Sequence, residues 1–221
     1  MSQECPDTLP DEFSVRHFLR DREALLIHFS TPMSTQKWVY PDDLRNARTL
    51  SGVSLAFCTI QAGDRGPSQG ADPGSANACG SVGLIVDIDD QGCVLRVGPT
   101  DDGSHEDPTT GEFASGGLEP TPASCARSLD GRQTMNEWRV KNYRTIGLFV
   151  FEPIKVRKKI SMSDGFGGCI PSEYEDDIDL ADVVTDFPDL RIFSVRNGSF
   201  QQYDRSAESW SPVTYDEILG G

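Results

Sequence analysis

Residues 136–158 read NEWRVKNYRTIGLFVFEPIKVRK, the densest apolar run in the chain, with the carboxylates Glu137 and Glu152 set beside it. Trp138 and Val140 alternate with Arg139 and Lys141, as in a half-exposed strand. Ile146 to Val156 reads as one long strand or as two bent at Pro153. Proline has no N–H for a ladder, so Pro153 marks an edge or a bulge. Five Lys and Arg residues fall between Lys141 and Lys158.

Working toward the N-terminus, residues 1–12 read as a loose tail. Ser14 can cap a short helix carrying Val15, Phe18 and Leu19 on one face. Ala24–Phe29 reads as a buried strand. Pro41, followed by Asp42 and Asp43, opens a helix to about Thr49. Val53–Ile60 reads as a second strand. Val82–Ile88 and Cys93–Val97 read as a hairpin across residues 89–92. The Gly- and Pro-rich residues 61–80 and the polar residues 98–123 read as long loops. Ser124–Leu129 fits one or two helical turns.

Toward the C-terminus, residues 161–177 read as a loop with an acidic run. Leu180, Val183 and Val184 suit a short helix ending before Phe187-Pro188. Leu190–Val195 and Phe200–Tyr203, joined by Asn197-Gly198, read as a type I′ hairpin. A last helical turn covers Thr214–Leu219. Strands number about eight, helices are few and short, and no βαβ alternation is seen. The expected fold is α+β: a mostly antiparallel, curved or split sheet with long polar loops, as one domain over 13–221 behind a flexible tail over 1–12.

The net charge of −15 repels phosphate backbones, so free nucleic acid and anionic membranes are poor partners, and a protein with a basic surface is a better one. No run approaches a membrane span and the acidic N-terminus does not resemble a signal peptide, which points to a cytoplasmic protein. The six cysteines show no C-x-x-C and no zinc-ligand spacing, so free thiols in a reducing compartment are expected.

There is no P-loop, dinucleotide fingerprint, H-E-x-x-H or G-x-S-x-G. The segment 101–107 is rich in oxygen ligands but lacks the spacing of a calcium loop, and no metal ligand set is assigned. His28, Ser30 and Thr31 place three hydrogen-bonding groups at a strand end. Glu137, at the mouth of a strand, can hold a sugar hydroxyl or face a developing oxocarbenium charge. Glu152 needs a partner if buried, and Arg144, Lys155 or Arg157 could supply it.

A histidine and hydroxyls on an early strand, followed by a glutamate opening a later one, resemble the ADP-ribosyltransferase superfamily. The resemblance implies a split antiparallel sheet and an NAD-consuming enzyme of toxin or effector type. It implies that His28, Ser30 and Thr31 hold the NAD, that Tyr143 stacks on nicotinamide, and that Glu137 serves transfer from the nicotinamide ribose. Two other readings stand beside it. One is a non-enzymatic acidic binding protein, immunity- or antitoxin-like, for a basic partner. The other is a metal-dependent nuclease using Asp87, Glu137 and Lys141.

Overall fold

The structure is a computed structural model and describes residues 5–30, 39–49, 52–64, 80–88, 92–98, 105–106, 113–114, 117–130, 137–163 and 169–220. In chain order these form α1 (Val15–Asp21), β1 (Leu25–Ser30), α2 (Asp42–Thr49), β2 (Leu55–Ile60), β3 (Val82–Asp87) and β4 (Cys93–Val97). Then come β5 (His105–Glu106), β6 (Phe113–Ala114), α3 (Pro122–Asp130), β7 (Trp138–Lys141), β8 (Arg144–Val150) and β9 (Ile154–Ser163). The chain closes with β10 (Cys169–Ile178), α4 (Leu180–Asp186), β11 (Ile192–Arg196), β12 (Ser199–Asp204), β13 (Ser209–Pro212) and α5 (Tyr215–Gly220).

Nine strands build one sheet in the order β13-β12-β11-β8-β3-β1-β2-β7-β4. Every pairing in it is antiparallel except β8 with β11. The α+β class and the mostly antiparallel sheet are as the apolar patterning predicts. The opening stretch splits into β7, β8 and β9. β8 is central, and the chain leaves it through Phe151 and the cis Glu152–Pro153 peptide before β9 begins. Pro153 therefore separates two strands rather than sitting inside one.

Directly paired residues share a face of a sheet, and successive ones alternate. Leu26, paired with Val86, and Leu84, paired with His28, lie on one face with Phe57, Trp138 and Leu148. Leu19 of α1, Leu44 of α2, Leu129 of α3 and Val183 of α4 pack into the clusters on that side. Leu25, Ile27, Phe29, Cys58 and Phe149 lie on the other face, under Tyr215 and Ile218 of α5. Fully burying each of these large apolar side chains stabilises the fold by roughly 1.5–3 kcal/mol.

Local signals account for many boundaries. Ser14 Oγ accepts the His17 N–H and caps α1. Asp179 and Asp182 form a capping box at α4, which ends ahead of Pro188. Asn197 (φ 53°) and Gly198 (φ 74°) give the left-handed pair of a type I′ turn between β11 and β12. Gly147 lets β11 close on β8, because a Cβ there would sit 2.8 Å from the Phe193 ring and 2.9 Å from the Arg191 carbonyl.

Other expectations need correction. β3 and β4 are not a hairpin: β3 runs between β8 and β1, and β4 pairs with β7 at the far edge. Residues 169–178 are strand β10, paired with β9 over ten positions, not an acidic loop. The tail is anchored, with Thr8 Oγ1 donating to the Pro120 carbonyl at 2.6 Å and Cys5 bonded to Cys93. That disulfide corrects the expectation of free thiols throughout. Cys58 and Cys125 are buried and form no disulfide. Most of the 61–80 and 98–123 loops lies outside the described residues. Among the described residues, no helix is long and apolar enough to cross a membrane.

Candidate functional site

The residues nominated from sequence fall on both faces of the sheet. The His28 ring lies 5.7 Å from Phe57, and its Nδ1 is 2.8 Å from the Ala56 carbonyl. Burial pushes its pKa down, the Arg139 charge pushes the same way, and the Ala56 carbonyl opposes them. Tyr143 stands edge-on to Phe57 at 5.0 Å, and its hydroxyl donates to the Ala47 carbonyl of α2 at 2.8 Å. Burial pushes that phenol up to about 12. Half-buried His28 and buried Tyr143 thus meet at one core ring, that of Phe57.

Ser30 is buried on the same face, beside the Asp43 carboxyl at the start of α2. Thr31 lies outside the described residues. Glu137 is separated from this group. It pairs with Arg139 at 2.9 Å, so both project from the face of β7 opposite Trp138. Trp138 pairs with Phe57, on the face of His28. The sheet therefore stands between the Glu137 carboxylate and the His28 imidazole.

Asp87, Glu137 and Lys141 are not gathered either. β3 and β7 have β1 and β2 between them, a separation of roughly 14 Å at the usual strand spacing. The Asp87 carboxylate accepts from Arg16 at 2.9 Å and Arg144 at 3.1 Å, which ties α1 to the sheet end. Among the described residues, no group of three His, Cys, Asp or Glu side chains could hold a metal ion.

A cleft of about 730 Å³ opens where the parallel strands β8 and β11 end side by side. β8 departs at Glu152-Pro153 and β11 reverses at Asn197-Gly198, so the two chains diverge and leave a crevice beyond their carboxyl ends. Such crevices recur as ligand sites in sheets with parallel neighbours, because several chain ends converge there without filling the space. Phe151, Val195 and buried Ser194 line this one, with residues 62–64 as a further wall. In that wall, Asp64 Oδ2 accepts the Gln61 N–H at 2.7 Å.

The polar centre of the cleft is Arg196. Its guanidinium lies 4.4 Å from the centroid of Trp210, whose ring lies 5.3 Å from that of Tyr203. Its Nη2 donates to Glu152 Oε2. Gln201 Nε2 donates to Ser199 Oγ at 3.0 Å nearby. Glu152 is thus paired neither with Arg144 nor with Lys155 or Arg157, but with an arginine 44 residues along the chain.

Of these residues, Glu152 alone stands out in the sequence as a carboxylate that needs a partner. The Asn-Gly turn was a usable signal for Arg196, since it places the residue before it at the mouth of a hairpin. Trp210 lies on β13, whose Ser-Trp-Ser-Pro sequence carries no strand pattern. No protein-family model, no curated protein and no solved structure matches this chain.

Proposed function

We propose that this protein is a binding protein that holds a small, hydroxyl-rich ligand such as a sugar in the cleft between β8 and β11. The observation that carries the reading is the lining itself: Arg196, fixed between Trp210 and Glu152, with Asp64, Asn197, Ser194 and Gln201 around it. A hydroxyl both donates and accepts, and carboxylates beside an arginine and amides offer both halves of that exchange. Two carboxylates against one guanidinium disfavour a polyanion, and the polar lining disfavours an apolar ligand. Saturation-transfer NMR with a sugar mixture tests the reading. Transfer should be seen with the native protein and be lost in Arg196→Ala.

An NAD-consuming transferase of the ADP-ribosyltransferase type is the competing reading, with NAD at His28, Ser30, Thr31 and Tyr143 and the chemistry at Glu137. The meeting of His28 and Tyr143 at Phe57 is the observation in its favour. The opposite faces of His28 and Glu137 weigh against it. Nicotinamide release from NAD, lost in both Glu137→Gln and His28→Ala, would establish it over the sugar-binding reading.

An acidic binding protein for a basic partner is favoured by one further observation. Residues 173–189 carry eight acidic side chains and no basic one, and Asp177, Asp179 and Asp182 are exposed. That association would weaken as salt rises.

A further inference from the structure

The β9–β10 ribbon divides its charge by strand. β9 reads IKVRKKISMS and carries four positive side chains, Lys155, Arg157, Lys158 and Lys159. β10 reads CIPSEYEDDI and carries four negative ones, Glu173, Glu175, Asp176 and Asp177. The two strands pair over ten positions, from Ile154 with Ile178 to Ser163 with Cys169. They form a sheet of their own, with no third strand among the described residues. The base is embedded, where Ile154, Val156 and Ile178 join the core over α2 and α4.

A two-stranded ribbon has two outer edges, and each presents a row of main-chain N–H and C=O groups ready to pair with another strand. Here one edge belongs to a basic strand and the other to an acidic strand. The pairing inside the ribbon shows how these sequences suit each other. Lys158 reaches Asp176 at 2.9 Å, and Lys155 reaches Glu175 at 3.3 Å and Asp177 at 3.8 Å.

We propose that the ribbon is a self-association arm, in which the outer edge of β9 takes the outer edge of β10 from a second copy of this chain. The sheet then continues as β10-β9-β10-β9 across the two copies. Charge selects this arrangement. Pairing β9 with β9 would set four positive side chains against four, and pairing β10 with β10 would set four negative against four. Only the mixed pairing repeats the complementarity already present inside the ribbon. Opposite charges on adjacent strands favour pairing, and like charges disfavour it. The contact is heterologous, because each copy gives one edge and receives the other, so it builds open chains rather than closed dimers. The net charge of −15 opposes the approach of two copies at low salt. At physiological salt the screening length is about 8 Å, which spares side chains on neighbouring strands while damping repulsion between whole molecules.

The test is sedimentation velocity at physiological salt over a concentration series, on three full-length proteins. These are the native chain, a β9 reversal (Lys155→Glu with Lys158→Glu), and a β10 reversal (Glu175→Lys with Asp177→Lys). The native sedimentation coefficient should rise with concentration. Each reversal alone should stay monomeric, because its reversed strand no longer complements the other edge. The two mixed should sediment together, because the β9 reversal keeps a native acidic β10 edge and the β10 reversal keeps a native basic β9 edge. A native protein that stays monomeric throughout overturns the proposal. So does association that persists unchanged in both reversals. Hydrogen exchange on the ribbon amides guards against a trivial result: protection of the ribbon in each separate variant shows that lost association is not lost ribbon.

Discussion

Arg196 lies with its guanidinium 4.4 Å from the centroid of Trp210, while Glu152 binds its Nη2 from the other strand end. The ring orients the cation and the carboxylate fixes its rotation, so three residues from three chain segments hold one donor group at the cleft. A cation over an indole contributes about 0.5–1 kcal/mol at an exposed site, and more when desolvated.

Trp210→Ala is therefore expected to destabilise the fold by only about 1 kcal/mol and to weaken ligand binding about tenfold, because Arg196 is then free to turn away. Arg196→Lys keeps the charge but loses the planar fork, and should weaken binding without unfolding the protein. Isothermal titration with a sugar found by screening, beside a thermal melt of each variant, separates the two effects.

Asp43 carries a pH-dependent term. Burial pushes its carboxyl above the ordinary value, while the Ser30 hydroxyl and the Leu44 N–H pull it back. A folded-state value above the unfolded one means that this carboxyl contributes stability at pH below its unfolded pKa. The contribution is lost as pH rises through the folded value. Asp43→Asn stays neutral and keeps an acceptor for the Leu44 N–H. It should raise the unfolding free energy read from urea melts at neutral pH by about 1–3 kcal/mol, and the gain should shrink as pH falls. A variant less stable than the native protein at neutral pH would contradict this.

His28 has the opposite sign. Burial holds its folded pKa below the ordinary 6.5. The stability that it contributes is present above the unfolded pKa and is lost as pH falls through the folded value. An imidazole NMR titration should show His28 less than half charged where a free imidazole is half charged. His28→Gln should flatten the acid side of the stability profile.

The bond between Cys5 and Cys93 closes a loop of 88 residues and pins the N-terminal segment to the edge strand β4. Reduction is expected to cost about 2–5 kcal/mol, read as a lower melting temperature in reductant. Cys93→Ser should show the same loss. Thiol counting under denaturing conditions should find at least two more thiols after reduction than before it.

Much of the fold was legible where apolar periodicity and caps acted locally. Ser14, Pro41, Pro188 and Asn197-Gly198 mark real boundaries because each acts on its own neighbours. β10 was not legible, because Glu175, Asp176 and Asp177 are stabilised by charges across the ribbon rather than by alternating apolar burial. The partners of β3 were not legible either, since strand pairing is set by the whole sheet and not by the five residues between β3 and β4. β13 is a short Ser-Trp-Ser-Pro edge that ends in proline, which hides it from strand patterning. The cleft escaped for a related reason. Glu152, Arg196 and Trp210 come from distant segments, and only the parallel pairing of β8 with β11 brings two of their strand ends together.

The most direct test of the ligand site is saturation-transfer NMR with a mixture of neutral and acidic sugars, NAD included, on the native protein, Arg196→Ala and Glu152→Gln. The account predicts transfer to at least one sugar with the native protein, transfer lost in both variants, and no transfer to NAD. No transfer to any sugar, or transfer to NAD that survives in both variants and vanishes in His28→Ala, would contradict it.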